Sequence, residues 1–112
     1  MVEDDHDIRF ALRAALEFEG YTVHVATNGK EALAILPNIQ PLNLILLDQN
    51  MPIMSGAEFL VEKNKSAALA EIPVVILSAV SNLPVPHGVK EFLRKPVELD
   101  LLLDTVQRYC SA

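Results

Sequence analysis

The chain has 112 residues, 51% of them hydrophobic, with a net charge of −6 and a single cysteine. That length carries one domain with a buried core. The acidic balance argues against nucleic acid as a ligand, and no apolar run reaches the roughly 18 residues of a membrane helix. Cys110 cannot form an internal disulfide, which fits a reducing, cytoplasmic setting. The acids directly after Met1-Val2 leave no basic segment for a signal peptide.

Met1-Val2 leads into Glu3-Asp4-Asp5-His6-Asp7. Ile8, Ala11, Leu12, Ala15 and Leu16 then recur at helical spacing, predicting a helix that Asp5 and Asp7 cap or favour and that Gly20 ends. Glu3 and Asp4 precede it and have less structural reason to be there. Tyr21-Thr22-Val23-His24-Val25 alternates like a strand. Asn28-Gly29-Lys30-Glu31 fits a capping box opening a helix with Ala32, Leu33, Ile35 and Leu36. Pro37 and Pro41 bracket a loop into Leu44-Ile45-Leu46-Leu47-Asp48, a run suited to a strand buried on both faces. Asp48 ends it, either as the start of a turn or at the edge where open α/β sheets place ligands.

Ser55-Gly56-Ala57-Glu58 fits a second capping box, starting a helix with Phe59, Leu60 and Val61. Pro73–Leu77 reads as another buried strand, ending at Ser78. The prolines and glycine of Asn82–Gly88 leave room for a short helical turn at most. Glu91–Arg94 reads as a short last strand ending at Lys95-Pro96. A final helix puts Leu99, Leu102, Leu103 and Val106 on one face, continued by Tyr109 and Cys110, with Leu101 off it. Alternating strands and helices predict right-handed βαβ units and a parallel sheet.

That topology brings Glu3, Asp4, Asp48, Ser78 and Lys95 to one edge. Clustered carboxylates need a cation, and Mg²⁺ takes a few carboxylates while keeping waters. A carboxylate can attack phosphorus to form an acyl phosphate, and Mg²⁺, an ammonium and a hydroxyl suit the transferred phosphoryl oxygens. His6, His24 and His87 have no second His or Cys at metal spacing, so they read as structural or solvated. Cys110 reads as a packing residue.

Val2-Glu3-Asp4-Asp5, Leu47-Asp48-Gln49-Asn50-Met51-Pro52, Ser55-Gly56, Leu77-Ser78-Ala79 and Lys95-Pro96 occur together, in this order, over nearly the whole chain. This set resembles the receiver domain of two-component response regulators, the CheY-like family. The resemblance implies a single receiver domain over residues 1–112 with no output domain. Its sheet is doubly wound, parallel and five-stranded, in the flavodoxin-like order 2-1-3-4-5. Asp48 is implied as phosphoacceptor, Mg²⁺ as cofactor, and Asp4, Glu3, Asp48 and the Asn50 carbonyl as its ligands. Ser78 and Lys95 would meet the phosphoryl group. Lys95-Pro96 resembles the family's cis peptide, which only an X-Pro bond adopts cheaply. Ser78 and Phe92 match the switch positions, Phe92 being otherwise an ordinary core strand residue, and Asn50 and Val80 would flank the pocket.

The implied function is phosphorelay signalling rather than catalysis. A sensor histidine kinase or phosphotransfer protein donates to Asp48, and the altered surface binds a downstream protein, without nucleic acid or membrane. An aspartate-nucleophile phosphatase would want a second acid two residues after Asp48, where Asn50 stands. A pseudo-receiver that binds partners without phosphorylation is the alternative. Two departures stand out. Only Met1-Val2 precede the acid pair, so the first strand is expected to be cut short, by a mis-set start or a truncated chain, leaving its neighbours with unpaired edges. The interval from Ser78 to Lys95 predicts a shortened fourth helix, with Leu83, Val85 and Leu101 as a possible apolar output patch.

Overall fold

The apolar runs become strands because each is buried on both faces. In the computed structural model of the chain, residues 1–49, 53–79 and 88–110 are described. Strands β1 (Ile45–Asp48), β2 (Val74–Ser78) and β3 (Val89–Arg94) form a parallel sheet in that order. Every residue of β1 and β2 is buried. Helices α1 (His6–Phe18), α2 (Gly29–Ile35), α3 (Gly56–Asn64), α4 (Ala67–Ala70) and α5 (Leu99–Cys110) complete the fold, with a 3₁₀ turn at Leu36–Asn38.

Strand side chains alternate between faces, and that alternation divides the core. Ile45, Leu47, Val74 and Ile76 pack with Ala32 of α2 and with Phe59 and Leu60 of α3. Leu46, Val75, Leu77 and Leu93 pack with Leu12 and Leu16 of α1 and with Leu102 and Val106 of α5. The sheet is thus covered on both faces, as its continuous apolar strands require.

The local signals act largely as read. Asp5 accepts from the backbone N–H groups of Asp7 (2.9 Å) and Ile8 (3.0 Å), capping α1. Gly20, at φ 95°, ends it: Gly20 N–H reaches Glu17 O and Tyr21 N–H reaches Leu16 O, the paired bonds of a left-handed helix stop. The Ser55–Glu58 box closes in both directions. The Asn28 box closes in one: Asn28 accepts from Glu31 N–H, but the Glu31 carboxylate turns to Thr27.

Other expectations need correction. Among the described residues the sheet has three strands rather than five. The remaining two are reduced to single parallel bridges, from Val2 to Ala26 and from Val2 to Leu47. Met1 and Val2 supply too few rungs for a ladder, so Tyr21–Val25 runs without strand pairing. Leu99 lies exposed, and Thr105 takes the buried place between Leu102 and Val106, its hydroxyl donating to Leu101 O at 2.7 Å. Helix α4 was not expected; Ser66 caps it by accepting from Leu69 N–H. The shortened fourth helix, with Leu83, Val85 and His87, lies outside the described residues, as do Asn50 and Val80.

Candidate functional site

Asp48 ends β1, Ser78 ends β2, and Lys95 follows the last residue of β3, so the parallel register delivers all three to one edge. Glu3 joins them through Val2: Asp48 N–H donates to Val2 O at 2.9 Å, and Glu3 N–H to Ala26 O at 3.0 Å. Gly56 tightens the same corner, its N–H on Gln49 O at 3.1 Å. A Cβ there would come within 3.1 Å of Asp48 O, so the close approach of α3 to the end of β1 needs glycine.

Lys95 Nζ donates to Asp48 Oδ1 at 2.8 Å and lies 3.6 Å from Glu3 Oε2. Glu3 and Asp48 are buried, and Asp4 is exposed beside them. Oxygens of the three carboxylates lie within 4.8 Å of one another. Burial first, and the charge of Asp48 second, push the Glu3 carboxyl up to about 7, against the pull of Lys95. Burial by itself would lower the Lys95 ammonium; the hydrogen bond to Asp48 and the charges of both carboxylates outweigh it and hold the group above its ordinary value.

Two further residues complete the site, and neither was singled out from the sequence. Ser78 Oγ donates to Gln49 Oε1 at 2.6 Å, a contact between residues 29 apart that local pattern cannot show. Arg9 reaches back from α1 to Glu3 O (2.9 Å) and Asp4 O (3.3 Å), fixing the acid pair's backbone. Its signal was a cation in the first turns of a helix, where the macrodipole disfavours one. Phe92 lies half-buried against the core that contains Phe59. The Lys95-Pro96 bond is cis, as is Gln40-Pro41, which the sequence reading did not anticipate.

The histidine readings hold where they can be seen: His24 is exposed, and His6 lies exposed and stacked on Phe10. Cys110 is half-buried against the α1/α5 core, and burial pushes its thiol up. No described helix is long and apolar enough to cross a membrane.

A parallel sheet covered on both faces, with an acid cluster and a lysine at its carboxyl edge, defines a doubly wound α/β domain whose site suits a phosphoryl group and a hard cation. Residues 1–107 match the response regulator receiver domain, and the chain belongs to that family. It is 33% identical to sporulation initiation phosphotransferase F of Bacillus subtilis, over 97% of this chain and 90% of that protein. It is also 33% identical to the transcriptional regulatory protein CrdR of Helicobacter pylori, over 97% of this chain but only 53% of that protein. The chain thus spans about half of this longer relative. The solved structure of the chemotaxis protein CheY4 of Vibrio cholerae superposes with a TM-score of 0.86 at 30% identity, covering 96% of this chain and 93% of that one. The fold is therefore the flavodoxin-like receiver fold, and the chain is a signalling module of two-component systems. Such modules interact with histidine kinases or phosphotransfer proteins and with downstream targets.

The donor set fits the Mg²⁺ that receiver domains typically bind at an acidic pocket. Three carboxylates converge, and Glu3 Oε2 is buried with no hydrogen-bond donor among the described residues, the Lys95 ammonium lying 3.6 Å away. One ammonium at that distance faces three carboxylates, and such a cluster favours a further cation.

Proposed function

We propose that Asp48 accepts a phosphoryl group from a phosphohistidine of a kinase or phosphotransfer protein, in the cytoplasm, and that the acyl phosphate changes the partner-binding surface. The observation that carries this is the Lys95–Asp48 contact of 2.8 Å at the centre of the acid cluster. An Asp48 oxygen attacks phosphorus, the P–N bond to the imidazole breaks, and the nitrogen leaves with the electron pair. Lys95, charged throughout the physiological range, pairs with a phosphoryl oxygen, and the Ser78 hydroxyl donates to another. Glu3, Asp4, Asp48 and the Asn50 carbonyl would hold Mg²⁺, which supplies charge neutralisation at the phosphoryl oxygens.

Phosphorylation places charge at the end of β1, beside the ends of β2 and β3, and draws Ser78 and Lys95 toward it. The output is read on the adjoining surface of β3 and α5, where Phe92 is half-buried and Leu101 is 47% exposed. The modification moves the equilibrium only by its unequal interaction with the two states.

The experiment is intact mass spectrometry after incubation with acetyl phosphate and Mg²⁺, with Asp48→Asn in parallel and circular dichroism on both. A gain of one phosphoryl mass in the parent alone, dependent on Mg²⁺, is expected. A folded parent that gains nothing would overturn the proposal in favour of an interaction module that works without phosphorylation.

A further inference from the structure

We infer that Gln49 is a latch on the Ser78 hydroxyl: it holds that hydroxyl's proton in the resting domain and thereby sets how readily Asp48 is phosphorylated. The inference rests on the proposed phosphoacceptor role of Asp48 and adds the regulation of the same site by a neighbouring side chain.

Ser78 is buried at the end of β2, and its Oγ donates to Gln49 Oε1 at 2.6 Å, at the short end of the range for a hydroxyl donor. A serine hydroxyl has one proton and donates it to one acceptor at a time. The proton that a phosphoryl oxygen on Asp48 would take is therefore already given to Gln49. Gln49 is not a loose partner. Its own N–H donates to Leu77 O at 3.2 Å, on the residue before Ser78, and its carbonyl accepts from Gly56 N–H at 3.1 Å. The backbone that carries the amide is thus tied to β2 and to α3, and the amide is half-buried.

Asp48 Oδ1 accepts from Lys95 Nζ. At rest Lys95 already engages Asp48, and the Ser78 hydroxyl is turned to Gln49. On phosphorylation the Ser78 proton stays on Oγ and changes acceptor, from the Gln49 amide oxygen to the phosphoryl oxygen. The Gln49 amide oxygen is then released to half-exposed surroundings, where water can replace the hydroxyl. Gln49 is thus a positioning residue that acts through Ser78.

A neutral hydrogen bond of ordinary net strength opposes the rearrangement by a factor of about two to ten. Gln49→Met, which keeps length and removes the acceptor, and Gln49→Ala are each expected to raise the rate of phosphorylation by acetyl phosphate with Mg²⁺ by about that factor. In a Ser78→Ala background neither substitution is expected to change the rate, because the coupling runs through the hydroxyl. A structural effect of Gln49 would appear in both backgrounds alike. Equal rates for parent and both Gln49 variants, or the same change with and without the Ser78 hydroxyl, would overturn the latch while leaving a phosphorylated parent intact. A parent that takes no phosphoryl mass overturns the phosphoacceptor reading, and the latch with it. If circular dichroism shows the variants unfolded, the parent supplies the test: on adding beryllofluoride and Mg²⁺, the ¹⁵N resonance of the Gln49 side-chain amide is expected to move as its oxygen loses the hydroxyl. A resonance that stays in place while that of Lys95 Nζ moves would sink the idea.

Discussion

The two halves of the sheet are built to different standards. On one side β1, β2 and β3 pair along their length, with one register shift between Val74 and Val75, and Leu47, Val74, Val75 and Leu77 are wholly buried. On the other, Val2 makes single bridges to Ala26 and Leu47, and the Met1 ammonium donates to His24 O at 2.8 Å. Beside that side lies a cavity of about 330 Å³ lined by Met1, Tyr21, Val23, Ile39, Leu42 and Leu44 among others. Asp48, Ser78 and Lys95 stand on the well-paired half. Glu3 and Asp4 reach the site from the other, through Val2. The chemistry is thus anchored where backbone pairing is densest, and the Glu3–Asp4 pair depends on a few rungs.

Large-to-small substitutions test this contrast most strongly. Leu47→Ala removes a fully buried side chain from the centre of the sheet and is expected to cost about 2–5 kcal/mol. Val23→Ala, at a half-buried position already bordering the cavity, is expected to cost about 1 kcal/mol or less. Urea unfolding of both variants gives the comparison. Equal losses would mean that the two halves share one packing quality.

How much of this could be read from residues follows from the same difference. β1 and β2 were plain because a short apolar run bounded by turn residues has few other uses, and Asp48, Ser78 and Lys95 followed from where those runs end. Tyr21–Val25 carried an honest strand pattern, yet pattern reports what a segment prefers and not whether a partner is present. Leu99 was misplaced because a leucine at helical spacing cannot reveal that the sheet ends before it, and Thr105 because a hydroxyl satisfied by Leu101 O within its own helix buries at little cost. Gln49 escaped for the reason that makes it interesting: its partner is a tertiary one.

At the site itself the next effect is that of Lys95. Its ammonium faces two buried carboxylates, with its side chain 24% exposed. Lys95→Met leaves Asp48 and Glu3 facing each other without it, at an expected cost of about 1–3 kcal/mol, less than for a fully buried pair because the site is partly wet. The folded ammonium is held above its ordinary value of 10.5. Its stabilisation is therefore fully present below that pH and is lost only as pH rises through the raised value, so Lys95 itself does not titrate between pH 5 and pH 9. Any pH dependence of the loss in that range comes from Glu3. Thermal melts should show a larger loss at pH 8 than at pH 5, and millimolar Mg²⁺ should recover part of it. A loss that is flat with pH and indifferent to Mg²⁺ would separate Lys95 from the acid cluster.

Glu3 gives the finest test, because it is the buried carboxylate that hangs on the sparse half. Its carboxyl moves from an ordinary 4.5 to about 7, from burial first and Asp48 second. The folded state therefore binds this proton more tightly than the unfolded one. The associated stability is fully present below about pH 4.5 and is lost as pH rises through about 7. Glu3→Gln keeps the shape of the protonated form and removes the titration. Relative to that variant, the metal-free parent should lose stability steadily between those two pH values and hold a constant deficit above them. Mg²⁺ should shrink the deficit by stabilising the parent more than the variant, which keeps Asp4 and Asp48 but lacks the Glu3 carboxylate, since a bound cation favours the ionised carboxylate. Parallel stability curves for parent and Glu3→Gln across this window would place the Glu3 carboxylate in water, and Val2 would then be too weak a tether to hold it in the site.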